Sequence, residues 1–106
     1  MVRPLSFEII LSDKLKDDFR HLDRKWHVAI RDAIDEQLKF TPDVETRNRK
    51  PLRTPIDEAR WELRCGPDNR YRVLYKYDTL TREVHIVAVG EKRNNELWVR
   101  GIRVHP

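Results

Sequence analysis

The sequence predicts an α+β domain in which two N-terminal helices pack on a twisted antiparallel β-sheet. Three observations predict it. Residues 13–40 carry apolar side chains at three- and four-residue steps, the spacing of a helix face. Between residues 60 and 89, three segments alternate apolar and polar side chains, the period of a strand, with short turn signals between them. Helices that precede a meander, rather than separating its strands, gather on one face of the sheet.

The elements follow in order. Ser6 to Leu11 reads as a short strand, with Phe7, Ile9 and Leu11 alternating with Ser6, Glu8 and Ile10. Ser12 stands as a helix N-cap with Asp13 in the first turn. Leu15, Phe19, Leu22 and Trp26 then form an apolar stripe that Ile30, Ala33 or Ile34, and Leu38 continue. Asp23 is placed to cap a second helix, so the segment reads as a helical hairpin turning near His21 to Asp23. Asp17-Asp18 reads as a solvated helix face. Thr41 to Pro55 contains Pro42, Pro51 and Pro55 and no sustained period, which predicts a loop or an irregular crossing that leads into a strand.

Arg60 to Cys65 alternates Trp61, Leu63 and Cys65 with Arg60, Glu62 and Arg64. Gly66-Pro67-Asp68-Asn69 is a turn signal. Arg70 to Tyr77 alternates Tyr71, Val73, Tyr75 and Tyr77 with Arg70, Arg72, Leu74 and Lys76. After a turn at Asp78 to Thr81, Glu83 to Val89 is the most apolar strand and the expected sheet centre, broken at Gly90. Leu97 to Val99 and Ile102 to Val104 read as a short last strand or a helical turn.

The 106 residues suit a single domain, residues 1–106, with one core. No apolar run approaches the roughly 20 residues that span a bilayer, and Met1 to Phe7 lacks the apolar core of a signal peptide. The one cysteine, Cys65, excludes an intramolecular disulfide and fits a reducing cytoplasm. The net charge of +4 is unevenly placed. Residues 1–40 balance eight Lys/Arg with eight Asp/Glu, whereas residues 41–106 hold fourteen against ten. Arg47, Arg49, Lys50 and Arg53 fall within seven residues that contain no acid. Such an excess fits a polyanion, nucleic acid first, or simply a soluble protein of high pI.

Alternation assigns the charged partners of the meander to the face away from the helices. Arg60, Glu62 and Arg64 share a side, Arg70 and Arg72 share a side with Leu74, and Lys92 and Arg93 follow the third strand. This is a basic patch with one carboxylate in it. RNA cleavage without metal needs a base for the 2′-OH proton, cations for the phosphoryl charge and an acid for the leaving 5′-oxygen. Arginine offers the fork that matches phosphate. An exposed sheet face with Glu62 as a cross-strand ion-pair partner accounts for the same residues. His21, His27, His85 and His105 have no metal-ligand spacing with one another or with Cys65. His85 and Cys65 read as packing residues, as do Trp61, Tyr71 and Tyr75.

The stretches TRNRKPLR (Thr46 to Arg53), RWELRC, RYRVLYKY and HIVAVGEKRNNELW, in that order, resemble the RelE/ParE toxin superfamily over nearly the whole chain. The resemblance implies a RelE-like fold and a toxin of a type II toxin–antitoxin pair, with a cognate antitoxin as partner and no cofactor or metal. RelE-like members cleave mRNA in the ribosomal A site; ParE-like members poison DNA gyrase. On the RelE pattern, Arg72 in YRVLY matches the phosphate-binding arginine, Lys92 the cation that stabilises the transition state, and Arg60 another basic strand position. Glu62 stands where the best-known member has a lysine proposed as the base, and Trp98 where it has a tyrosine that stacks on a nucleobase. The resulting assignment makes Arg72, Lys92 and Glu62 catalytic, with Lys50, Arg53 or His85 as substitutes. Lys50, Arg53, Arg60, Arg64, Arg93 and Trp98 bind RNA. The expectation is a cytoplasmic, ribosome-dependent mRNA endonuclease, monomeric or bound to its antitoxin. The alternatives are a gyrase inhibitor without nuclease activity and a non-toxic RNA-binding module.

Overall fold

The computed structural model describes residues 5–104. Met1 to Pro4, part of the segment weighed as a leader, and His105 lie outside the described residues. The fold is α+β. In chain order it contains β1 (Glu8–Leu11), α1 (Leu15–Arg20), a 3-10 turn (Arg24–Trp26), α2 (His27–Leu38), β2 (Arg49–Ile56), β3 (Ala59–Cys65), a second 3-10 turn (Pro67–Asn69), β4 (Tyr71–Asp78), β5 (Glu83–Arg93), β6 (Glu96–Val99) and β7 (Ile102–Val104). No helix among the described residues is long and apolar enough to cross a membrane.

The helical hairpin turns where the sequence placed it. Asp23 Oδ1 accepts a 3.0 Å hydrogen bond from the Lys25 N–H and opens the 3-10 turn. Ser12 Oγ accepts from the Lys14 N–H at 3.2 Å, although Lys14 itself occupies the cap position of α1. The apolar stripe is buried: Leu15, Phe19, Leu22, Ile30, Ile34 and Leu38 share one cluster with Leu63, Tyr71, Val73, Tyr75, Val84, Ile86 and Val89 of the strands.

The strands form one curled sheet in the order β2-β3-β4-β5-β6-β7, antiparallel throughout that path. β1 departs from the antiparallel expectation and runs parallel to the first half of β5. The central strand therefore has a divided edge. Glu83 to Ile86 pair with β1, and Glu91 to Arg93 pair with β6. Between them the β5 backbone has no strand neighbour on that side. A carboxylate occupies the gap. Asp18 of α1 is fully buried, its Oδ2 accepts the Val89 N–H at 2.9 Å, and its Oδ1 accepts from Arg100 Nη1 in the β6–β7 turn. Asp18 is thus no part of a solvated helix face; the reading holds for Asp17, which pairs with Arg20 at the surface.

Three further expectations are corrected. Gly90 does not end its strand, because β5 runs on to Arg93. A Cβ at this position would meet the Trp98 carbonyl oxygen at 2.6 Å and Val99 Cγ2 at 2.8 Å. Glycine is there so that β6 can fold back at close range, which a sequence pattern reads as a break. Residues 49–56 are strand, not loop. β2 is an edge strand with an irregular register between Pro51 and Ile56, the setting in which prolines are tolerated. Finally, residues 96–104 form two strands instead of one strand or a helical turn.

The face away from the helices is not simply free to carry charge. Ile56, Ala59, Leu74, Ala88, Leu97 and Val99 form a second buried cluster there, with Leu52, Val87 and Val104 packed against it. Val87 is the extra residue of a bulge, since Leu74 opposes Ala88 and Tyr75 opposes Ile86. The bulge sends Val89 to the helix side with Val84 and Ile86, and turns Ala88 to the other. β2 and β7, the two ends of the strand path, line one cleft on this side, which makes it the concave face.

Removing the Asp18 carboxylate leaves the Val89 N–H and the Arg100 guanidinium unmatched. Asp18→Ala is expected to destabilise the fold by about 3 kcal/mol, read as a lower urea midpoint. Gly90→Ala is expected to detach β6, read as accelerated amide hydrogen exchange at residues 91–99.

Candidate nucleic-acid interface

The cationic face is built from adjacent strand positions. Lys50 opposes Glu62, Glu62 opposes Leu74, Arg64 opposes Arg72, and Arg72 opposes Gly90. Directly opposed residues project to the same side of a sheet, so Lys50, Glu62, Arg64 and Arg72 share the concave face. Lys92 lies two residues beyond Gly90 and projects there too, and its N–H donates to the Arg70 carbonyl at 2.8 Å. Arg60, two residues before Glu62, is exposed on the same side.

Glu62 is the hub of this group. Its Oε1 accepts from Arg64 Nε at 3.0 Å and lies 2.9 Å from Arg64 Nη2. Arg72 Nη1 donates to both carboxylate oxygens at 3.4 Å, and Arg72 Nε donates to the Asn69 carbonyl at 3.1 Å. The side chains of Arg72 and Glu62 are only 11% and 13% exposed, against 35% for Arg64. The Arg72 guanidinium is therefore held from two directions, with Nη2 left without a partner among the described residues. The Lys92 ammonium likewise has none. Lys50 reaches Glu45 Oε2 at 3.4 Å at the surface. The turn that supplies the Asn69 carbonyl is visible in the sequence as Gly66-Pro67-Asp68-Asn69, but its hold on Arg72 is not.

Other residues singled out from the sequence sit elsewhere. Arg53 is exposed in the irregular part of β2, next to Leu52 of the second cluster, and its side chain has no partner among the described residues. Trp98 opposes Glu91, and Arg93 Nε donates to Glu91 Oε1 at 3.1 Å. Glu91 alternates with Gly90 and Lys92, so Trp98 and Arg93 project to the opposite face from Arg72 and Lys92. There the Arg93 guanidinium lies 5.9 Å from the Trp98 ring centroid. His85 opposes Lys76, four positions along β4 from Arg72, or about 13 Å. It pairs with Glu83 at 3.3 Å.

Arg49, one of the four cations in the basic run, is withdrawn from the surface. It is 7% exposed, and it donates to the Val44 carbonyl and to the carbonyl and side chain of Gln37. It ties the segment before β2 to the end of α2. The Tyr75 hydroxyl, donating to the Pro42 carbonyl at 2.8 Å, does the same from β4. Among the described residues no group of three or more His, Cys, Asp or Glu side chains is placed to hold a metal.

No protein-family model matches the chain, and no curated protein matches it.

Cys65 packs in the main cluster, and burial pushes its thiol from the usual 9.0 up to about 11, against the opposing pull of Arg72. Burial also raises Tyr75. Both groups are neutral when protonated, so their raised values favour the fold below the unfolded pKa and lose that contribution as pH rises through the folded one. The urea midpoint is expected to fall between pH 9 and pH 11, less steeply in Cys65→Ala. Alkylation of Cys65 at neutral pH is expected only after denaturation.

Proposed function

We propose that the concave cationic face binds the phosphate backbone of single-stranded RNA, and that the chain is a ribosome-dependent mRNA endonuclease, the toxin of a type II toxin–antitoxin pair. The observation that carries this reading is the pairing of a fixed guanidinium with a free ammonium. Arg72 is oriented by Glu62 and Asn69 and keeps one amino group open, and Lys92, two residues beyond the Gly90 that opposes Arg72, projects to the same face with no partner for its ammonium among the described residues. Two cations on diagonal positions of neighbouring strands, one of them held in place, suit a phosphodiester whose charge grows during 2′-OH attack. Arg64 and Arg60 of β3 and Lys50 of β2 extend the positive surface across the sheet, and Arg53 lies farther along β2. A cytoplasmic location and an antitoxin whose acidic segment covers this face complete the proposal.

One feature favours a second reading. The Glu62 carboxylate already accepts from two guanidinium groups, so a proton taken by it would weaken both ion pairs. That suits a positioning residue better than a general base. A toxin that acts by binding alone, on DNA gyrase, requires no base.

The test is a cell-free translation reaction in which mRNA 5′ ends are mapped with and without the protein and with and without ribosomes. New ends that require ribosomes are expected. Lys92→Ala, which removes an ammonium with no hydrogen-bond or ion-pair partner among the described residues, is expected to lower cleavage at least tenfold and to reduce the salt dependence of RNA binding by about one phosphate contact. Arg72→Ala is expected to abolish cleavage. Intact mRNA together with inhibited gyrase supercoiling would replace the nuclease reading with the binding one.

A further inference from the structure

The concave face carries a cleft of about 310 Å³ beside the cations, and no part of the proposed cleavage uses it. Ile56, Leu74, Ala88, Val99 and Ile102 line it, with Asp57 in the β2–β3 turn at its rim. Leu74 and Ala88 oppose each other, and Arg72 and Gly90 are the next pair on the same side. The cleft therefore begins one side-chain repeat, about 6.6 Å, from Arg72, the nearer of the phosphate-binding cations. Its polar neighbours are not equivalent. Arg100 is committed to Asp18, and Arg103 pairs with Glu96 at 3.1 Å. The Asp57 carboxylate has no partner among the described residues.

We infer that this cleft is a nucleobase subsite and that Asp57 selects guanine. The inference rests on the reading of the concave face as an RNA-binding surface. An unstacked base presents two apolar faces and one polar edge, which matches aliphatic walls with a single acceptor at the rim. The carboxylate offers two oxygens in a plane and no donor. Guanine alone of the four RNA bases sets two adjacent donors, N1–H and the N2 amino group, on its Watson–Crick edge. Adenine and cytosine each place a ring acceptor beside their amino group, and uracil flanks its N3–H with carbonyls. A base seated here has its phosphate directed toward Arg72 and Lys92.

Asp57 adopts a positive φ of 50°, a conformation that asparagine also tolerates. Asp57→Asn therefore preserves the turn while replacing one acceptor by a donor. The experiment is a titration of the full chain, its Leu74, Ala88, Val99 and Ile102 methyl groups followed by NMR, with two uridine tetranucleotides that carry either one guanosine or one adenosine. The guanosine oligomer is expected to bind about tenfold more tightly and to shift these methyls, and Asp57→Asn to bring the two affinities within twofold. Equal affinity of the wild-type protein for both oligomers overturns the guanine assignment. Binding that Arg72→Ala weakens but that leaves the cleft methyls unmoved overturns the subsite and leaves the cationic face standing. No binding of either oligomer overturns both.

Discussion

A buried carboxylate holds α1 and the β6–β7 turn to the central strand. Asp18 sits on a six-residue helix and is fully enclosed, a placement that costs several kcal/mol for an unpaired charge. It is offset by a guanidinium from the β6–β7 turn and by the Val89 N–H, in the stretch of β5 that has no strand neighbour on that edge. Three elements distant in sequence are thereby held together: α1, the middle of β5, and residues 100–101. The position of β6 and β7 follows from this, and with it the far wall of the concave cleft. The cationic face and the cleft both depend on an interaction on the other side of the sheet.

The concave surface combines two opposed tendencies. Arg64, Arg72, Lys92 and Lys50 crowd positive charge onto neighbouring strands, which alone would repel. Glu62 relieves part of this by bridging two of the arginines, and its low exposure strengthens the bridge relative to a surface pair. What remains is a net positive field in which the Arg64 and Arg72 guanidinium groups are already oriented. A surface so arranged need not reorganise to receive an anion, which is the condition for strong electrostatic stabilisation.

Much of the fold was legible because it follows from period and punctuation. The helical hairpin, the Asp23 cap, the three meander strands and the centrality of β5 all follow from local patterns. The departures arise where tertiary context overrides a local rule. Pro51 and Pro55 read as loop because the sequence does not reveal which strand lies at an edge. Gly90 reads as a terminator because close approach of β6 leaves no trace in the residues around it. Asp18 reads as solvated because a buried acid and a surface acid look alike until Arg100, 82 residues away, is placed beside it. For the candidate site, alternation correctly put Glu62, Arg64 and Arg72 on one side. The bulge at Val87 redistributes the side chains of β5, and only the register of β6 shows that Trp98 and Arg93 project away from Arg72.

The divided edge of β5 also governs how the molecule comes into being. Its first half pairs with β1, made before the helices, and its second half with β6, made directly after it, so the central strand is completed from both directions along the chain. The pairing of β1 with β5, Glu8 opposite Glu83, closes late and slowly, whereas the β5–β6 hairpin is local. During synthesis the sheet cannot be completed, nor Asp18 neutralised, until Arg100 has left the ribosome. Until then the nascent chain exposes an unsatisfied acid and an open strand edge, features that favour chaperone capture or early pairing with another polypeptide. The folded concave face becomes available only after Arg100 has cleared the particle that made it.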